Sequence, residues 1–357
     1  MTNAVKNERI AALDYIRFFA IVCVILTHTT ELVYSLNTEV LCKAGRLVRW
    51  SGIALFTVGR LGVPLFIFLT GYLMLAHTYQ TKDILYLWKK VLGMLVATEV
   101  WIIFYYFFSL WRKKEHFSLS VLIFQMLFLK SSSGPHLWYM PIILGLYIFI
   151  PFVANAINEI DKKILSYLMI VIVIYLFVPP ILNVFRLVSG EEMLYKQLNF
   201  SFAGGEYGVL LIIGWMIKKK YFEQIRSIHY ILLGVGCYLL TVTLELYAYR
   251  HGVSYNVWYD SLTLLVTSFS IFNLFLKVKK FKGGGILIRW LSKMSFAVYL
   301  CHEAVVVLLS KYIHIDNYLI KEYFVFCGSF IISFCIAGVI SLHTRTAKVL
   351  FDLNGEK

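Results

Sequence analysis

The sequence predicts an all-α fold: a polytopic membrane bundle of about ten transmembrane helices, forming one domain over residues 1–357 with both termini cytoplasmic. Three observations carry this. Of the 357 residues, 60% are hydrophobic and 15% charged, whereas soluble domains carry about 25% charged residues. The mean hydropathy is +0.74, and apolar runs recur at about 20 residues, the length that a ~30 Å hydrocarbon core asks of a helix. The short alternating segments of a membrane barrel are not found.

The net charge of +14 would suggest nucleic acid in a soluble protein. Here the basic residues sit in short loops, so membrane topology explains them and no nucleic-acid partner is expected. With the N-terminus inside, the cytoplasmic loops hold Lys6 and Arg9, then Lys82, Lys89 and Lys90, then Lys162 and Lys163. They continue with Lys218, Lys219, Lys220 and Arg226, with Lys277, Lys279, Lys280, Lys282, Arg289 and Lys293, and with Arg345, Lys348 and Lys357. The main outer cluster is Arg112, Lys113 and Lys114. Six scattered cysteines lack ligand spacing and read as packing residues, so no metal site is expected. Lys6 and Arg9 precede a long apolar run without a small-residue cleavage site, which reads as an uncleaved first helix.

The spans run near 11–34, 52–76, 84–110, 137–156, 163–184, 203–217, 228–249, 257–276, 290–312 and 322–344. The apolar segment 118–130 is too short to cross and is expected in the interface or re-entering. Gly283, Gly284 and Gly285 form a hinge before the ninth span; with no preceding strand they are no phosphate loop.

The first span carries four ionisable side chains: Asp14, Arg17, His28 and Glu31. The eleven-residue step from Arg17 to His28 is three helical turns plus about 20°, so the two share a face roughly 16 Å apart along the axis. Asp14 and Glu31 fall on the same side of the wheel, with Ile21 and Val24 between the charged ends. A charge near the bilayer centre costs on the order of 3 kcal/mol and usually faces a protein-lined cavity. An interfacial Asp14–Arg17 pair, with Arg17 reaching to the headgroups, is the plainer alternative. An imidazole, with an ordinary pKa near about 6.5, serves as a general base, and Glu31 one turn on can orient it.

Other positions extend the seam. Arg60 is read at the outer end of the second span, where Pro64 and Gly71 allow a kink and close packing. The Ser131–Pro135 run lets a loop fold inward and bring His136 with it, while Trp138 and Tyr139 fit an interfacial aromatic belt. Ser292, Ser295, Tyr299 and His302 share one face of the ninth span and form either a partner wall for the first helix or interhelical hydrogen-bonding glue. Glu99 and Glu245 are carboxylates inside apolar spans that can line a cavity.

Taken together, four blocks resemble the acyltransferase-3 family of integral membrane O-acyltransferases. They are Leu13-Asp14-Tyr15-Ile16-Arg17 with ten residues to His28, Arg60 through Gly71, His136-Leu137-Trp138-Tyr139, and Ser295 through His302. The resemblance implies acyl transfer, acetyl or sometimes succinyl, from cytoplasmic acyl-CoA to a hydroxyl of an extracytoplasmic sugar or related envelope acceptor. It implies a catalytic His28 with Arg17 as companion, Asp14 and Glu31 supporting them. Arg60, His136, Trp138, Tyr139, Tyr299 and His302 then shape the acceptor pocket, and Lys82, Lys89, Lys90 and Arg289 meet acyl-CoA. Many relatives have arginines where this chain has Lys82, Lys89 and Lys90, and lysine lacks bidentate geometry. Many also carry an appended soluble domain, which is not expected here. The implied partners are acyl-CoA as co-substrate with no tightly bound cofactor, an envelope glycan or lipid-linked sugar, membrane lipids and a second copy in a homodimer. The location is the cell (plasma or inner) membrane, multi-pass. A transporter or flippase of envelope intermediates is the competing reading, although no internal repeat supports it.

Overall fold

The computed structural model describes residues 10–36, 39–200, 204–278 and 285–353. Among these residues the chain is helical throughout, with no strand. The first half comprises α1 (Ala11–Val33), α2 (Glu39–Lys43), α3 (Arg46–Gly59), α4 (Gly62–Met74), α5 (Thr81–Lys113), α6 (Leu119–Met126) and α7 (Tyr139–Ile157), the last entered through a 3-10 turn at Pro135–Trp138. The second comprises α8 (Lys162–Phe177), α9 (Pro179–Ser189), α10 (Gly205–Lys218), α11 (Ser227–Arg250), α12 (Leu262–Lys277), α13 (Gly285–Tyr312), α14 (Tyr318–Ser341) and α15 (Thr344–Phe351). Gly283 and Gly284 of the expected hinge, with Lys6, Arg9, Lys279, Lys280, Lys282 and Lys357, lie outside the described residues.

Eight segments are long and apolar enough to cross a membrane, counting α3 with α4, the 3-10 turn with α7, and α8 with α9 as single spans. Eight such spans stand against the about ten expected; α10 and α12, at 14 and 16 residues, are shorter than a span needs. The expected short segment is α6, eight residues long.

α1 is the hub, packed against α3, α4, α12, α13 and α14. Its wide buried face includes Ile16, Ala20, Ile21 and Ile25. By contrast, α8 presents Ile164, Tyr167, Ile170, Val171 and Ile174 outward, as a lipid-facing helix should. All six cysteines are free.

The second span differs from its sequence reading. It begins at Arg46 rather than near residue 52, so Arg60 lies in mid-span, at the break between α3 and α4, instead of at the outer end. Glycines on both sides of the break let it press on α1. A Cβ on Gly59 would meet the Thr27 backbone nitrogen at 2.6 Å, and one on Gly62 the Ala20 carbonyl oxygen at 2.7 Å. Pro64, in the first turn of α4, removes an N–H that has no helical acceptor anyway. Further along, Gly71 of α4 and Gly214 of α10 bring two backbones into contact, the close approach that small residues permit in membranes.

α15 folds back on the middle of α5. Trp101 Nε1 donates to the Leu350 carbonyl at 2.9 Å, and the Phe351 ring stacks on Trp101 with centroids 5.8 Å apart.

Candidate active site

Helical periodicity aims the polar residues of α1 and α13 at each other. At the basic end, Arg17 Nη1 donates to Ser292 Oγ at 3.1 Å, and that hydroxyl donates to Asp14 Oδ1 at 2.9 Å. Arg17 and Asp14 are 3.7 Å apart, so the i,i+3 pair exists, but it is tied to α13 rather than left at a free interface.

Three turns up α1, His28 Nδ1 meets Glu31 Oε2 at 3.0 Å and lies 3.6 Å from Glu303 Oε2 of α13. With Nδ1–H donated to Glu31, Nε2 carries the lone pair; this tautomer follows from the hydrogen-bond network. Glu31 Oε1 accepts from Arg60 Nη2 at 3.3 Å, and Arg60 Nη1 donates to the Tyr259 hydroxyl at 3.0 Å. The Arg60 guanidinium also sits 4.5 Å from the Phe56 ring centre and 4.6 Å from that of Trp258, a cation–π setting. These partners offset the cost of an arginine that is only 5% exposed.

Trp258 and Tyr259 come from the loop between α11 and α12. That loop is fastened by Glu245, fully buried, which accepts the Val257 backbone N–H and the Thr57 hydroxyl at 3.3 Å. Glu245 therefore holds the cover over Arg60, a role that composition alone does not show. Glu99 remains partly exposed in α5.

The Ser/Gly/Pro loop does turn inward. His136 is buried at 1% exposure, with ring centroids 5.1 Å from His302, 6.2 Å from His28 and 4.8 Å from Tyr105. The Tyr299 hydroxyl donates to the His136 carbonyl at 2.6 Å. The His28 and His302 rings are 5.3 Å apart, which makes a cluster of three histidines. His302 Nδ1 faces the Tyr299 and Val298 carbonyls at 2.7 and 3.1 Å, which leaves Nε2 as a buried acceptor with no partner. Neither ring nitrogen of His136 has a hydrogen-bond partner of good geometry. Trp138 is not a lipid-belt residue here, since it stacks on Tyr259 at 5.4 Å and lies 5.3 Å from Trp258.

Two cavities share this seam. One, of about 300 Å³, is lined by Arg17, Thr70, Tyr139, Tyr147, Ser295, Tyr299 and Asp352 among apolar side chains. The other, of about 20 Å³, is lined by His28, Arg60, His136, Trp138, Tyr139, Tyr259 and Tyr299. They meet at Tyr139 and Tyr299, whose rings cross at 6.0 Å. Asp352, just past α15, has its carboxyl raised by burial against the lowering pull of Lys348 and Lys90.

The expected acyl-CoA lysines are less closely gathered. Lys82, Lys89 and Lys90 are exposed on the first turns of α5, with Lys90 one turn before Met94 of the larger cavity. Arg289 lies elsewhere, in a separate small pocket beside Asp14 and Tyr15, with Nε on the Gly285 carbonyl at 2.9 Å.

His28, His302 and Glu303 each offer one donor atom, all within 4.8 Å of one another. Ligands of a single tetrahedral ion sit about 3.4 Å apart at metal bonds of ~2.1 Å, so this group would have to contract to hold one. Glu303, Tyr105, Tyr259 and Glu245 were not assigned to the site from sequence. Glu303 and Glu245 had a local signal, the first its place directly after His302 and the second its place inside an apolar span.

A cluster of histidines, carboxylates and a mid-span arginine among eight helices long and apolar enough to cross a membrane belongs to a multi-pass membrane protein. The chain belongs to the acyltransferase-3 family, whose model, described as an acyltransferase domain, matches residues 10–341. The protein is thus a membrane acyltransferase. No curated protein and no solved structure matches it.

Proposed function

We propose that the protein transfers an acetyl group from cytoplasmic acyl-CoA to a hydroxyl of a cell-surface sugar or related envelope acceptor across the plasma membrane. The observation that carries this reading is the pair of cavities meeting at Tyr139 and Tyr299, one containing Arg17 and the other His28. The pantetheine arm enters past Arg17, with the phosphates outside near Lys90. Thr70, Ser295 and Tyr147 suit an arm that alternates amide and hydrocarbon. The chamber of about 20 Å³ has room for about one water-sized group, so it must widen to admit either acyl group.

In this mechanism the acceptor hydroxyl approaches under the Trp138–Tyr259 wall. His28 Nε2 takes its proton while its oxygen attacks the thioester carbonyl. The C–S bond breaks, the ester C–O bond forms, and the imidazolium returns the proton to the departing thiolate to give free CoA. Glu31 and Glu303 stabilise the imidazolium, and Arg60 holds Glu31 in register.

The test uses the protein in sealed proteoliposomes with labelled acetyl-CoA outside and envelope glycan inside. Glycan-dependent thiol release and label inside are expected for the wild type, with much slower release for His28→Ala. Equal release by wild type and His28→Ala would reject the site, and glycan flux without thiol release would favour a transporter.

A further inference from the structure

A second feature lies outside the seam. Between α7 and α10 runs a groove of about 760 Å³, walled by Pro141, Gly145, Phe149 and Phe152 on one side and Gly208 and Leu211 on the other. Phe149 and Phe152 are 50% and 62% exposed, so the groove faces outward from the bundle. A Cβ on Gly145 would meet nothing within 4 Å, which makes the groove open at mid-height. At this depth no water is available, and a hydrocarbon chain is what fills such a surface.

The groove leads somewhere. Its head is Tyr207, whose ring lies 6.2 Å from Trp138 and 6.4 Å from Tyr259, two residues of the His28 chamber wall. A chain lying in the groove therefore places its headgroup against the wall of the chamber. The neighbouring head residue is Glu206, half-buried and without an ion pair to any described residue. A phosphate placed there would face a carboxylate with no cation between them, an unfavourable like-charge contact. An uncharged glycosidic linkage meets no such penalty.

We infer that the α7–α10 groove binds the hydrocarbon chain of the acceptor, and that the acceptor is an uncharged glycolipid of the glycosyl-diacylglycerol type. This rests on the acyl-transfer reading and narrows it to a membrane-resident acceptor.

The test uses the full chain in lipid nanodiscs with a photoactivatable monoglucosyl diacylglycerol. Crosslinks are expected on residues 141–157 and 204–212 and to fall severalfold in Gly145→Phe, whose ring enters open space and leaves helix packing intact. Unlabelled monoglucosyl diacylglycerol should displace the probe, and an equal amount of phosphatidylglycerol should not. Labelling unchanged by Gly145→Phe, or equal displacement by both lipids, overturns the inference. Acetyl-CoA thiol release on the same nanodiscs separates the two readings. If His28-dependent release persists while groove labelling fails, only the groove assignment falls. If labelling succeeds and release never depends on His28, acyl transfer fails and the acceptor assignment with it.

Discussion

The two ends of the α1 seam are built from similar residues and do different work. At the Arg17 end the guanidinium is tied through Ser292 to Asp14, yet its side chain stays 31% exposed beside the larger cavity. At the His28 end Arg60 and Glu303 are buried while His28 and Glu31 are half-buried, and Arg60, Glu31, His28 and Glu303 form one continuous chain of contacts. A charge pair in a wet setting is weak and adjustable, while one in a dry setting is strong and fixed. The first end suits capture of a polyanionic donor; the second suits holding a proton acceptor in one geometry.

That contrast can be broken or sharpened by substitution. The largest effect is expected from His28→Ala, which should lower kcat for acyl transfer by about 10²–10⁴-fold, the usual range for a general base. Near-normal turnover in a folded variant would erase the distinction between the ends. Next, Glu31→Gln should lower kcat by about 10–100-fold, the size of one lost charge-assisted hydrogen bond, with KM for acyl-CoA little changed. Arg17→Lys should show the opposite split, raising KM for acyl-CoA about tenfold with kcat nearly intact, because lysine keeps the charge and loses the fork. Steady-state kinetics on the two variants side by side measures that split. Away from the seam, Gly71→Ala should cost about 1–3 kcal/mol of stability, read as earlier thermal unfolding in detergent. The new Cβ would run into the Leu211 carbonyl oxygen and force α4 from α10. Smallest of all, chelator treatment should leave turnover unchanged, since the mechanism asks no ion of His28, His302 and Glu303.

Much of the seam is legible in the sequence, because helical periodicity is a local property. The spacing from Arg17 to His28, and the stripe Ser292, Ser295, Tyr299 and His302, each fix a face without reference to the rest of the fold. The facing of these two stripes then follows from their shared polarity. What periodicity cannot show is depth. Arg60 looked terminal because Arg46 and Arg49 made the outer part of its span resemble a loop, and only packing on α1 reveals that the helix continues past them. Nor can it show partnerships between distant segments. Glu245 finds Thr57 across 188 positions, and Tyr105 reaches the Leu300 carbonyl across 195. Interfacial lysines such as Lys82 and Lys89 look alike in a sequence whether or not a cavity opens beside them.

The backbone contact between α4 and α10 has a mechanical consequence. Two helices joined backbone to backbone at Gly71 and Gly214 form a rigid strut through the bundle. Tyr139 rides on α7, which borders the open groove on the far side of that strut.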